Sequence, residues 1–153
     1  AYQEIRSKLE ALTGHINGRF ATIDWVPLRY VNAAHRRDEL AGILRSAAVG
    51  LVTPLRDGMN LVAKEYVAAQ DPADPGVLIL SRFAGAASRM SEAIIVNPFS
   101  REDMSDAIRR ALGMPAQERI RRWEALMHGV VKWDVSAWRD SFVQTLEACG
   151  ERN

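Results

Sequence analysis

The sequence has a single cysteine, Cys149, in 153 residues. No internal disulfide can form, and a small disulfide-held scaffold is excluded. No apolar run reaches the roughly 18 residues that a membrane-spanning helix needs, and no signal-peptide pattern stands at the start. The expected compartment is the reducing cytoplasm. An excess of one charge is also lacking: 20 Lys plus Arg against 19 Asp plus Glu leave a net charge of +1. That balance points to neither nucleic acid nor a membrane surface as partner. Internal repeats and low-complexity stretches are absent. What is there is 48% hydrophobic and 25% charged, a globular composition of a size for one domain or a large piece of one. The chain opens on Ala1 rather than Met and runs directly into helix-like sequence, which suggests a piece of something longer.

Residues 3–12 read as a polar helix with Ile5, Leu9 and Leu12 on one side, ended by Gly14 and Gly18. Residues 28–31, after Pro27, read as a strand, since proline suits a strand's first position. Residues 37–47 put Leu40, Ile43, Leu44 and Ala47 on a helical stripe. Residues 49–53 read as a strand buried on both faces, 54–58 as a turn, and 59–70 as a helix with Met59, Val62, Ala63, Tyr66 and Val67 on one face. Residues 77–80 are a second buried strand, 83–87 a small-residue loop and 93–96 a last short strand. Ser100 and Asp103 form a capping-box pattern. Pro115 suits the first turn of a helix through Trp123 and Met127. Asp134 is placed to cap a terminal helix with Trp138, Phe142 and Leu146 spaced by four. Short buried strands alternating with amphipathic helices predict an α/β fold with a parallel sheet covered on both sides. Three or four strands are few for a free-standing doubly wound sheet, so the sheet reads as cropped on its N-terminal side.

In open parallel sheets ligands bind beyond the carboxyl ends of the strands. The segment around residues 49–65 satisfies this best: a strand ends at Thr53, a tight turn follows and a helix begins near Gly58. The first amides of a helix lack intrahelical partners and carry the positive end of its dipole, which suits a phosphate or a developing anion. Asp57 and Glu65, eight residues apart, fall on broadly the same side of such a helix, about 12 Å apart along its axis. That is too far for an acid/base pair on one bond and suits two separated hydroxyl-bearing ends of an extended ligand, a sugar and a ribose. Each residue also has a plain reading: Asp57 as an N-cap in an Asp-Gly turn, Glu65 as a solvated helix residue, Asn60 as a cap. His15, His35 and His128 show no metal-ligand spacing. Cys149 has no evident base beside it. Arg119, Arg121 and Arg122 read as a solvated face, and the four tryptophans as core or interface. Neither GxGxxG nor a Walker loop occurs.

The run Val49-Gly-Leu-Val-Thr-Pro-Leu-Arg-Asp-Gly-Met-Asn-Leu-Val-Ala-Lys-Glu-Tyr-Val-Ala-Ala-Gln70 closely resembles the donor-binding segment of trehalose-6-phosphate synthases, which are retaining GT-B glucosyltransferases. Residues 14–18 and 25–30 resemble the family segment before it, and residues 75–81, 83–87 and 95–98 those after it. The resemblance covers nearly the whole chain and implies a partial Rossmann-like parallel sheet flanked by helices. Residues 1–153 would then be part of the C-terminal nucleotide-sugar-binding domain, without the N-terminal acceptor domain.

The resemblance further implies glucosyl transfer from UDP-glucose to glucose 6-phosphate, giving trehalose 6-phosphate and UDP with retention. It requires no cofactor and no metal. Asp57 matches the residue that binds the donor glucose hydroxyls, and Gly58, Met59, Asn60 and Leu61 the helix start whose amides face the glucose and diphosphate. Glu65 matches the ribose-binding glutamate, while the backbone near His35, with Leu40 and Val62, lies where the family holds uracil and ribose. Asp57 and Glu65 also resemble the E-x7-E spacing of retaining GT-B enzymes. Front-face displacement, in which the leaving phosphate takes the acceptor proton, needs no protein base. The family's phosphate-clamping Arg and Lys lie ahead of the matched segment, so this chain alone is expected to be inactive. After residue 87 the family has an acid followed by Leu where this chain has Ser88-Arg89-Met90, which bears on the packing of that loop. Other expectations are a related sugar-nucleotide transferase or pseudo-glycosyltransferase, and a non-catalytic nucleotide-sugar-binding or assembly module. In the last, uncovered apolar surface on the terminal helix would favour a homo-oligomer.

Overall fold

The computed structural model describes residues 2–150, which divide into two compact units, residues 1–35 and 36–153. The first unit holds α1 (Tyr2–Phe20) and an irregular segment after it. Gly14 and Gly18 do not end α1 as expected. The helix passes through both, at a cost of about 1 kcal/mol each relative to alanine, and ends only at Phe20. The strand expected at residues 28–31 is also absent. Its hydrogen bonds go elsewhere: Asn17 Nδ2 donates to the Leu28 carbonyl (2.9 Å), and the Leu28 amide donates to Asn17 Oδ1 (3.0 Å). One side chain thus occupies the backbone groups that a neighbouring strand would have paired.

The second unit runs α2 (Arg37–Ser46), β1 (Val49–Val52), α3 (Leu61–Ala69), β2 (Val77–Ser81), β3 (Ile94–Val96), α4 (Arg101–Leu112), α5 (Ala116–Lys132) and α6 (Val135–Gly150). The three strands are parallel in the order β1-β2-β3, with Leu51 opposite Ile79 and Leu80 opposite Ile95. All of β2 is buried. Its alternation divides the core. Leu78 and Leu80 face Ala63, Tyr66, Val67 and Leu126 of α3 and α5, while Val77 and Ile79 face Ala107 and Ala111 of α4. The predicted α/β fold with helices on both faces is observed. The first strand, expected to be buried on both faces, is only half-buried. It lies at the sheet edge and leaves Leu51 45% exposed.

Tyr66 ties α3 to β1. Its hydroxyl donates to the Ala47 carbonyl (2.9 Å), and its ring lies so close to Gly50 that a Cβ there would fall 2.7 Å from it. Burial pushes the phenol up to about 12. At their C-terminal ends α2 and α3 are joined: Gln70 Nε2 donates to the Leu44 carbonyl (2.6 Å), and Arg45 pairs with Asp71 (2.7 Å).

Arg119 and Arg122 are not a solvated face. Arg119 donates to the Pro75 carbonyl and pairs with Asp74 (both 2.6 Å). Arg122 bonds the Glu92 carbonyl and Glu118 (both 2.9 Å). Arg121 is exposed, as expected. Trp123 packs on the core, and its indole N–H donates to the Val67 carbonyl (2.9 Å). Arg89 stacks over the Trp133 ring at 4.3 Å. Ser100 caps α4 through the Asp103 amide, but Asp103 returns its carboxylate to the Asn97 amide rather than to Ser100, so the capping box is only half formed. Asp134 caps α6 as expected, accepting from the Ala137 amide. Trp138 and Phe142 stack on that helix (5.4 Å) and, with Leu146, remain exposed.

Candidate functional site

The loop between β1 and α3 lies beyond the carboxyl end of β1, with a second loop, from β2 to β3, beside it. The two continue the parallel pairing of their strands. The Asp57 amide donates to the Phe83 carbonyl (3.2 Å), the Gly85 amide to the Asp57 carbonyl (2.9 Å) and the Ala86 amide to the Met59 carbonyl (2.8 Å). Asp57 and Ala84 form a parallel bridge. A Cβ on Gly85 would overlap the Gly58 carbonyl, so only glycine permits this approach. Beyond it the 3-10 turn Gly85–Arg89 closes on Ser88, whose hydroxyl donates to the Gly85 carbonyl (3.0 Å), and Met90 fills the core. Of the Ser88-Arg89-Met90 departure, Met90 is buried in the core, and Ser88 and Arg89 are exposed.

Asp57 is not the N-cap of α3. That place belongs to Asn60, whose Oδ1 accepts from the Ala63 amide (2.9 Å) and whose backbone is left-handed, with φ 73°. Asp57 instead accepts from the Met59 amide on Oδ1 (3.1 Å) and from Asn60 Nδ2 on Oδ2 (2.8 Å). The Met59 amide first, and then the Asn60 side chain, hold its carboxyl below the usual carboxylate range. It is an anchored anion at neutral pH.

The helix begins at Leu61 rather than near Gly58, so the 12 Å helical separation of Asp57 and Glu65 does not apply. Only the four steps from Leu61 to Glu65 are helical, about 6 Å along the axis. Glu65 is exposed, on a stripe with Leu61 and beside Val62, both also exposed. The amides of Leu61 and Val62, in the first turn, have no intrahelical partner. Leu40, on α2, lies at the end of that helix away from its junction with α3. His35 is exposed and belongs to the first unit. Asp57, Gly58, Met59, Asn60, Leu61, Val62 and Glu65 are thus consecutive features of one loop and helix start. An open cleft of about 520 Å³ runs from Asp57 along Arg82, Phe83, Gly85 and Ser88. The residues not foreseen are Arg82 and Phe83, which line the same cleft only because the second loop pairs with the first. Among the described residues no group of three His, Cys, Asp or Glu is placed to hold a metal ion. Among them, too, no helix is long and apolar enough to cross a membrane.

The family model of glycosyltransferase family 20 matches residues 1–148. The chain belongs to glycosyltransferase family 20. A trehalose-6-phosphate synthase of Salmonella arizonae is 52% identical to this family 20 chain over all 153 residues, which cover 32% of the relative. A solved α,α-trehalose-phosphate synthase (UDP-forming) from Burkholderia xenovorans, in complex with glucose-6-phosphate, superposes with a TM-score of 0.91 at 54% identity, over 96% of this chain and 33% of that one. An E. coli protein solved with UDP-2-fluoro glucose superposes at 0.90 with 52% identity, over 95% and 32%. The family 20 chain therefore has the Rossmann-like GT-B architecture of these proteins and spans about a third of their length.

Proposed function

We propose that this chain supplies the donor side of a trehalose-6-phosphate synthase, which moves glucose from UDP-glucose to glucose 6-phosphate with retention. The observation that carries the reading is the anchored Asp57 carboxylate, fixed by the Met59 amide and Asn60 at the start of α3, with Glu65 exposed on the same helix. Asp57 accepts hydrogen bonds from the glucose hydroxyls. The amides of Gly58, Asn60 and Leu61 face the glucose and diphosphate, where the helix dipole favours negative charge, while the Met59 amide is taken by Asp57. Glu65 holds the ribose hydroxyls, and Leu40 and Val62 border the base and ribose. The solved relatives with UDP-2-fluoro glucose and with glucose-6-phosphate support these substrate classes.

In the transfer, the bond from the anomeric carbon to the diphosphate oxygen breaks. The acceptor hydroxyl bonds to that carbon on the same face, and its proton passes to the departing oxygen. No protein base and no metal is required. The protein's part is positioning and stabilising the developing phosphate charge. The acceptor site and phosphate-clamping cations are assigned to the part of the relatives that this chain does not match, so the chain by itself is inactive. A related transferase using another sugar nucleotide or acceptor, or a pseudo-glycosyltransferase, would share this cradle. A UDP-release assay on the complete protein, with the product identified, tests the reading. Trehalose 6-phosphate with the α,α linkage supports it; a different product, or none with these substrates, contradicts it. A cytoplasmic location fits the use of a nucleotide sugar. Self-association through the uncovered α6 stripe is a separate expectation, and a strictly monomeric species by light scattering at high concentration would rule it out.

A further inference from the structure

Asp57 is restrained twice. Its backbone is clasped by residues 83–86, and its carboxylate is held by its own loop. The second restraint passes through one planar group. Asn60 Nδ2 donates to Asp57 Oδ2 while Asn60 Oδ1 accepts from the Ala63 amide in the first turn of α3. The amide has one workable orientation, since flipping it would set a donor against the Ala63 N–H and an acceptor against the carboxylate. Reaching both partners takes the left-handed backbone at φ 73°, the only positive φ among described non-glycine residues, which asparagine tolerates better than most. Capping alone does not call for this residue. Ser, Thr or Asp would satisfy Ala63 as well, but of these cap residues only Asn both accepts from the helix and donates to a carboxylate through one rigid plane.

We propose that the Asn60 side chain is a positioning residue for Asp57: it locks the carboxylate's rotation against the start of α3, so that the donor sugar meets it in one orientation. The Met59 amide and Asn60 take one lone pair on each oxygen, and the remaining acceptor capacity of both oxygens is left for hydroxyl groups. This inference rests on the donor-site reading above. It makes the Asn60 amide a residue of rate rather than of nucleotide affinity.

Two substitutions in the complete protein test it. Asn60→Asp keeps the cap and the tolerance of a left-handed backbone, removes the donor and sets a like charge beside Asp57. Asn60→Gly keeps the backbone and removes both side-chain bonds without adding charge. Both are expected to lower kcat for transfer from UDP-glucose about ten- to a hundredfold, the scale on which slight misplacement acts. UDP affinity of Asn60→Gly should stay within about twofold of wild type, a change worth well under 1.4 kcal/mol. A role in capping alone predicts an unchanged Asn60→Asp rate and unfolding temperature, and that result overturns the proposal. Loss of UDP affinity by Asn60→Gly in step with its rate overturns it too. Should Asn60→Gly not fold, the rate of Asn60→Asp decides. Asp57→Ala separates the two levels. If Asp57→Ala leaves transfer intact, the donor-site reading fails. If it abolishes transfer while both Asn60 variants keep the wild-type rate, only the positioning role fails.

Discussion

The Gly85 amide donates to the Asp57 carbonyl oxygen at 2.9 Å, and a Cβ on Gly85 would overlap the carbonyl of Gly58. The loop that carries the proposed sugar contact is therefore shaped by a loop nearly thirty residues further on. Gly85→Ala should force the two apart. We expect a stability loss of about 1–3 kcal/mol, as for other overpacked sites, and a fall in UDP-glucose affinity of about tenfold, equal to 1.4 kcal/mol. Thermal unfolding and calorimetric titration measure these. Unchanged affinity would mean that the clasp does not govern the site.

Asp57 and Glu65 should fail differently. Asp57→Ala in the complete protein is expected to lose transfer, by about a hundredfold or more, while still binding UDP, because an interaction needed at the sugar is removed. Glu65→Ala should weaken UDP and UDP-glucose alike, since the ribose is common to both. Steady-state rates with UDP binding curves for the two variants check this. Identical behaviour of the pair would show that they do not hold opposite ends of one ligand.

These residues also show how far sequence reading reaches. β2 was legible as a buried strand because residues 77–80 form an unbroken apolar run, and all of β2 is buried. The placing of the candidate site in the loop after β1, beyond the carboxyl end of the strand, followed from topology. The N-cap was not legible: Asp57 and Asn60 are both good caps, and local preference cannot choose between them. The choice is made by residues 83–86, which hold Asp57 back from the helix. The absent strand at 28–31 has the same cause at another scale, because Asn17 takes both Leu28 backbone groups from eleven residues away. Arg119 and Arg122 read as solvated because their partners, Pro75 and Glu92, are distant in the chain.

Tyr66 gives a pH prediction. Its phenol is raised from 10.0 to about 12 by burial. A folded pKa above the unfolded value means that its stabilising contribution is whole below about pH 10 and is lost as pH rises through about 12. Tyr66→Phe should remove this dependence, and its neutral-pH cost should be about 1 kcal/mol for the lost bond to Ala47. Denaturant unfolding of both proteins between pH 8 and pH 12, at about unit steps, tests the sign. Stability of the wild type that rises relative to Tyr66→Phe over that interval would contradict it.

Asp57 has the opposite sign. Its folded pKa lies below 3.8 through the Met59 amide and then Asn60, so its contribution is present above that value and is lost as pH falls through the lower, folded one. Carboxyl NMR titration of Asp57 should find the anion persisting below pH 3.8, and Asn60→Gly should move the midpoint upward. A wild-type midpoint above 3.8 would contradict the anchored-anion description.

Calorimetric titration of the complete protein with UDP-glucose and with UDP, for wild type and Asp57→Ala, bears most directly on the central claim. The account predicts that wild type binds UDP-glucose more tightly than Asp57→Ala does, while the two bind UDP alike. Equal UDP-glucose affinity in both proteins, with transfer also unimpaired, would contradict a sugar cradle at Asp57.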